Sequence, residues 1–137
     1  MLHFIPTITL ALCAVAAPAD PVLGKWQAVT CGENSYTQEQ IADATDEGCR
    51  LYSLHQQVGT NNYPHTFRNH EGLSFPVPGP YQEFPILENG LYLGGAPGAD
   101  RIVFKAGAEG ACDYVGAMTH TGAANHNGFV LCAEADD

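Results

Sequence analysis

Thr37–Tyr52, TQEQIADATDEGCRLY, decides the architecture, because no other segment of the chain carries so clear a helical pattern. Thr37 is a good N-cap, and Gln40 three residues on completes a capping box, each residue satisfying the other's backbone N–H. Ile41, Ala44, Thr45, Gly48, Cys49 and Tyr52 recur at helical spacing and predict the buried face. Glu39, Asp43, Asp46 and Glu47 fall off that face; they form a solvated surface, and the early-turn acids among them suit the helix dipole. Before the helix, Asp20–Thr30 reads as an irregular start or a first edge strand, with Trp26 as a packing anchor. After it, every segment is short and rich in β-branched or aromatic residues. Leu73–Val77, Tyr81–Leu87, Arg101–Lys105, Val115–Thr121 and Gly128–Cys132 are the predicted strands. Pro76, Pro78 and Pro80 mark a bend between the first two, and Asn89-Gly90 is a turn. The Gly94–Asp100 stretch, GGAPGAD, lacks the lysine and hydroxyl of a phosphate-binding P-loop and reads as a loop that delivers Arg101 to a strand. One helix followed by several antiparallel strands predicts an α+β fold in a single domain.

The 137 residues suffice for one domain with a modest core. Phe4 to Ala17 is apolar and uncharged, too short to span a bilayer, and Ala17-Pro18-Ala19 supplies small residues for a secretory cleavage site. Residues 1–19 are therefore expected to be a signal peptide, with cleavage after Ala16 as the alternative, and residues 20–137 the mature domain. No second apolar run follows, so the mature protein is expected to be soluble and exported, with no membrane partner. Cys13 leaves with the signal; Cys31, Cys49, Cys112 and Cys132 remain, an even set that suits an oxidising compartment. Spacing leaves all three pairings open. The lack of any CxxC pair argues against zinc. A net charge of −10 with only five Lys and Arg weighs, taken alone, against a nucleic-acid partner.

Asn61–Gly72, NNYPHTFRNHEG, has a different character. It gathers Tyr63, His65, Phe67, Arg68, His70 and Glu71 with no apolar periodicity, and Pro64 would interrupt a central ladder. Three distant residues match it: Glu83 within PYQEFPIL, Arg101 opening RIVF, and His120 in MTHTGA. Strand alternation can place all three on one sheet face with His65. A carboxylate, two histidines and an arginine suit metal-free phosphoryl transfer, which needs a base, an acid and fixed positive charge. Each also has an ordinary reading, as a structural histidine or an ion pair.

From about Cys31 to Cys132 the chain resembles the fungal extracellular guanyl-preferring ribonucleases. The similarity runs in order through CGENSYT, VGTNNYPHTF, EG, GPYQEFPIL, GGAPGADRIVF, THTGA and GFVLC. The resemblance implies a helix on a strongly twisted antiparallel sheet, the microbial ribonuclease fold, whose concave face holds the site. It further implies disulfides Cys31–Cys132 and Cys49–Cys112. By motif position, Glu83 is the general base for the ribose 2′-hydroxyl and His120 the general acid for the departing 5′-oxygen. His65 supports the base, Tyr63 and Arg101 bind the phosphate, and Phe129 is the apolar ring beside it. The implied product is a 2′,3′-cyclic phosphate, hydrolysed more slowly to a 3′-phosphate. The implied substrate is single-stranded RNA, cut by a monomer with no cofactor and no metal, because dependence on the 2′-hydroxyl excludes DNA.

Base recognition departs from the family pattern. Phe67 keeps one stacking ring and Glu71 the carboxylate for guanine, while His70 replaces the second ring and Arg68 stands where asparagine is common. Asn69 is retained. The loop before Phe129, Ala124–Gly128, is one residue longer, so either His126 or Asn127 is the candidate for the base-contacting carbonyl. Purine-relaxed specificity is one alternative. Another is a ribonuclease-like secreted effector or RNA-binding protein with weak or no turnover, although every catalytic position is filled. A lysine-rich ribotoxin is disfavoured, since Lys25 and Lys105 are the only lysines. A histidine–metal hydrolase is disfavoured because no histidine pair stands at i, i+4.

Overall fold

The structure, a computed structural model, describes residues 27–135. The expected signal segment 1–19 and Trp26 lie outside those residues. Helix α1 spans Gln38–Ser53 and opens on the capping box its sequence predicts. Gln40 N–H donates to Thr37 Oγ1 at 3.1 Å, and Thr37 N–H donates to Gln40 Oε1 at 2.8 Å. The buried stripe is Ile41, Ala44, Thr45, Gly48 and Leu51. Tyr52 was expected inside but is 41% exposed. Ala44, Gly48 and Leu51 continue the stripe at i+4 and i+3, which turns Tyr52 to the margin, where its ring meets the edge of Phe104.

Two antiparallel sheets receive this helix. The smaller joins β1 (Val29–Cys31), β2 (Asn34–Tyr36) and β8 (Ala133–Glu134) in the order β2-β1-β8. The larger holds β3 (His65–Phe67), β4 (Tyr81–Pro85), β5 (Asp100–Ala106), β6 (Cys112–Thr119) and β7 (Val130–Leu131), in that order. Side-chain alternation divides the large sheet into two faces. Phe84, Ile102 and Phe104 point to α1 and form the main core with Ile41, Ala44, Leu51 and Tyr36. Val103, Val115, Met118 and Phe67 form a second cluster, covered by Leu73, Phe75, Val77, Tyr81 and Phe129.

That second cluster explains the main disagreement with the predicted strands. Leu73–Val77 is not a strand, because Pro76 and Pro78 have no N–H to donate. The segment instead lays its apolar side chains over the sheet, and Gly116 makes room: a Cβ there would sit 3.1 Å from the Phe75 ring. Strand β6 begins three residues earlier than expected and stops at Thr119, leaving His120 just past its end. Gly128–Cys132 contracts to the two residues of β7, and the short strands β2, β3 and β8 were not anticipated. Pro64 is accommodated because it precedes β3, an edge strand.

Both disulfides implied by the resemblance are formed, Cys31–Cys132 and Cys49–Cys112. The first joins the end of β1 to the residue between β7 and β8 across 101 positions. In the loop-entropy model such a closure contributes about 4–5 kcal/mol.

Helix and sheet meet most tightly at Gly48. A Cβ there would lie 2.9 Å from Phe104 Cε1 and 3.1 Å from Phe84 Cβ. Gly→Ala in an open helix stabilises by about 1 kcal/mol. Here the sign reverses: Gly48→Ala is expected to lower urea-unfolding stability by about 1–3 kcal/mol through overpacking. An unchanged or raised midpoint would show that the helix can retreat from the sheet.

Candidate active site

Cross-strand register assembles the site on the sheet face away from α1. His65 lies directly opposite Glu83 in the β3–β4 pair, and Arg101 lies opposite Pro85, two residues along from Glu83. His65 Nε2 reaches Glu83 Oε1 at 2.5 Å, while Arg101 Nε stands 4.0 Å from Glu83 Oε2. Glu83 and Arg101 are 6% and 2% exposed.

His65 is oriented from behind. Its Nδ1–H donates to the carbonyl of Asn61 at 2.9 Å, so the proton shared with Glu83 sits between Nε2 and Oε1. The Glu83 hydrogen bond raises the His65 pKa above its ordinary value, and burial opposes it only in part. An NMR titration is therefore expected to show His65 titrating above about 6.5, and lower again in Glu83→Gln. The sign for stability follows. A raised histidine contributes stability fully below its unfolded value, and that contribution is lost as pH rises through the folded value. The difference in stability between wild type and Glu83→Gln is thus expected to shrink as pH climbs above that range. An unchanged His65 titration in the variant would contradict the pairing.

Arg101 is held by carbonyls rather than acids. Its Nη1 donates to Gly98 at 2.8 Å, to its neighbour Asp100 at 2.9 Å and to Pro97 at 3.3 Å. The GGAPGAD loop thus delivers Arg101 to the second position of β5, as its composition suggested. Nη2 donates to the Tyr63 hydroxyl at 3.0 Å, and the guanidinium carbon lies 5.1 Å from the Tyr63 ring centre and 5.9 Å from that of Phe129. Tyr63 is buried, stacked on His65 at 4.5 Å and edge-on to Tyr92 at 5.8 Å. Two polar atoms at the centre, Glu83 Oε2 and Arg101 Nε, are buried with no hydrogen-bond partner. Leaving such groups unpaired costs about 1–3 kcal/mol each, which a ligand completing both would recover.

His120 enters from the other side. Its N–H donates to Ala99 at 2.9 Å and its Nδ1–H to Gly128 at 2.7 Å, leaving Nε2 as the free ring nitrogen. Its ring stacks on Phe129 at 3.9 Å. The residue that sequence reasoning missed is Asp100, 2% exposed. Its carboxylate accepts from Tyr36 Oη at 2.5 Å, Thr119 Oγ1 at 2.7 Å and Asn34 Nδ2 at 3.0 Å. These bonds fix β2, the start of β5 and the end of β6, and hence the mounts of Arg101 and His120. Burial, then the bond to Asp100, raises the Tyr36 pKa. A carboxylate directly before a strand's arginine was the available signal.

The base-binding candidates are less uniformly engaged. Phe67 is 8% exposed and sits edge-on to Phe129 at 5.7 Å, so its ring belongs to the second apolar cluster. Asn69, at φ 53°, spends its side chain on Leu73: Oδ1 accepts the Leu73 N–H at 2.7 Å and Nδ2 donates to the Leu73 carbonyl at 2.9 Å. Glu71 Oε2 accepts the Phe129 N–H at 2.9 Å, tying the Phe67–Glu71 segment to the ring that stacks on His120. Arg68, His70, His126 and Asn127 are exposed, and no hydrogen bond joins the last two to the Phe67–Glu71 segment. Among the described residues no group of three or more His, Cys, Asp or Glu side chains is placed to hold a metal ion.

A family model described as ribonuclease matches residues 24–133. The chain belongs to the ribonuclease family. Within it, the chain is 44% identical over 133 residues to guanyl-specific ribonuclease F1 of Fusarium fujikuroi, covering 97% of this chain and 98% of that protein. It is 45% identical over 109 residues to the extracellular guanyl-specific ribonuclease Fl1 of Gibberella baccata, covering 80% and 99%. A solved ribonuclease from Hericium erinaceus, ribonuclease He1, superposes with a TM-score of 0.53 at 32% identity, covering 77% of this chain and 97% of that one. The chain thus has the α+β microbial ribonuclease fold, one helix on antiparallel sheet, and carries two disulfides.

Proposed function

We propose that the protein is an exported endoribonuclease that cleaves single-stranded RNA on the 3′ side of guanosine by acid–base chemistry without a metal. The observation that carries this reading is the unpartnered pair at the centre of the site. Glu83 Oε2 is a free acceptor and Arg101 Nε a free donor, 4.0 Å apart, with His120 across from them. Glu83 Oε2 takes the proton of the ribose 2′-hydroxyl as that oxygen attacks phosphorus. His120, protonated at Nε2, gives its proton to the 5′-oxygen as the phosphorus–oxygen bond breaks, leaving a 2′,3′-cyclic phosphate. Arg101 and Tyr63 face the charge that grows on the phosphoryl oxygens. The stacked Phe129 and His120 rings keep water from it, which strengthens those interactions. His65 shares its proton with Glu83 and holds the carboxylate in place. With roles exchanged, water then opens the cyclic ester to a 3′-phosphate. One chain supplies base, acid and fixed charge, so a monomer suffices.

Export is supported by the apolar run ahead of Ala19 and by the two disulfides. Guanosine preference is supported by the guanyl-specific ribonucleases among its relatives and by Glu71. A purine-relaxed site is the second reading, favoured by His70 and Arg68 standing exposed in the recognition loop. One experiment separates the two: cleavage of a short RNA containing each base once, in excess EDTA. Cutting after guanosine alone supports the strict reading, and cutting after adenosine as well supports the relaxed one. Abolition of cutting by EDTA would refute the metal-free mechanism.

A further inference from the structure

Among the described residues, three of the four Lys and Arg side chains are occupied. Arg50 pairs with Glu47 at 2.6 Å, Lys105 donates to the Pro78 carbonyl at 2.9 Å, and Arg101 is locked into the site. Arg68 differs: it is exposed, and among the described residues no hydrogen bond or ion pair engages it. It directly follows β3 and lines a groove of about 560 Å³ with Thr66, His70 and Tyr81. The two Asn69–Leu73 hydrogen bonds pin the turn that carries it. In a protein of net charge −10, an unpaired arginine on the groove that Phe67 and His70 also line concentrates positive potential where the overall field supplies none.

We infer that Arg68 binds a second phosphate of the RNA strand, the 5′-phosphate of the nucleotide whose base enters the Phe67–Glu71 segment. The inference rests on the ribonuclease reading above. In that reading the 3′-phosphate of this nucleotide lies against Arg101, Glu83 and His120. Its 5′ end must leave on the far side of the base loop. Strand β3 runs that way, placing Arg68 about 10 Å along the chain from His65. One nucleotide separates successive phosphates, and the long guanidinium stem covers the remaining offset. A planar guanidinium also suits a phosphate better than any other side chain.

The test compares guanylyl-3′,5′-cytidine carrying a 5′-hydroxyl with the same dinucleotide carrying a 5′-phosphate. Each is assayed with wild type, Arg68→Gln and Arg68→Lys. The readout is the ratio of kcat/KM for the two substrates within each protein, so a general loss of activity cancels. Wild type is expected to prefer the phosphorylated dinucleotide by about fivefold at low salt, as one exposed ion pair provides. The ratio is expected to fall to about one in Arg68→Gln and to stay intermediate in Arg68→Lys. Over a salt series, the log–log slope for the phosphorylated substrate is expected to be shallower by about 0.7 in Arg68→Gln. No preference in wild type, or the same preference in Arg68→Gln, overturns the assignment while leaving the ribonuclease reading standing. Failure of wild type to cleave either dinucleotide removes both.

Discussion

His120→Ala is expected to lower kcat on guanylyl-3′,5′-cytidine by about 10²–10⁴-fold, the usual contribution of a positioned general acid. Folding should be little affected, because His120 is only partly buried and lies beyond the end of β6. Its side chain gives up one hydrogen bond, to Gly128, and one ring stack, on Phe129. KM should move far less than kcat, since the proton is delivered only in the transition state. Glu83→Ala alone is predicted to lose less, because His65 stands 2.5 Å from the missing carboxylate's position and can take over part of the base role. The double change Glu83→Ala with His120→Ala is expected to abolish turnover in a steady-state assay. Retention of more than a few per cent of activity would move the chemistry to other residues.

Asp100→Ala carries the largest expected effect on stability, a loss of about 3–5 kcal/mol in urea unfolding. The carboxylate is buried and accepts from Tyr36 and Asn34 of β2 and from Thr119 of β6, so its removal takes the shared acceptor from donors on two strands. The three losses do not add independently, because the donors share one acceptor. Set against a total stability of about 5–15 kcal/mol for a domain, the variant is expected to be near unfolding at 37 °C. Tyr36→Phe deletes the bond to Asp100 and a longer one to the Ile86 carbonyl, Thr119→Val deletes the bond to Asp100 and the one accepted from the Thr121 N–H, and each is expected to cost about 1–2 kcal/mol. An Asp100→Ala loss below 1 kcal/mol would mean that water replaces the carboxylate without strain.

How much of this was legible in the sequence depends on the range of the interaction. The capping box of Thr37 and Gln40 is local, and it formed as read. Alternation placed Glu83 and His65 on one sheet face as read, but the short strand β3 that sets His65 opposite Glu83 was not among the predicted strands. Arg101 was readable as the opening of a strand fed by a glycine-rich loop. Tyr52 and Leu51 exchanged places because the last turn of a stripe is decided by what it packs on, not by spacing alone. Leu73–Val77 had strand composition, yet its prolines barred a ladder and the segment became a cover for the second cluster. Asp100 was missed for a related reason: its three donors come from positions 34, 36 and 119, and its place directly before Arg101 is the one local sign of its role. The recognition loop was legible as residue types. That Asn69 spends its side chain on Leu73, and Glu71 one oxygen on Phe129, is tertiary information.

The acidity of the chain is no obstacle to an RNA substrate. Non-specific affinity scales with the number of phosphates neutralised, so a protein with five Lys and Arg is expected to hold RNA weakly. Turnover depends instead on charge fixed at the reacting phosphate. In the proposed mechanism Arg101 meets that need, with its orientation already set by carbonyls and by Tyr63.

The most direct test of the central claim is a ³¹P NMR time course on guanylyl-3′,5′-cytidine in EDTA, with the 2′-deoxyguanosine analogue as control. The expected course is a 2′,3′-cyclic phosphate resonance that rises first and then decays into guanosine 3′-phosphate, with the deoxy analogue untouched. A 5′-phosphate on cytidine, or cleavage of the deoxy analogue, would contradict attack by the 2′-hydroxyl and with it the roles assigned to Glu83 and His120.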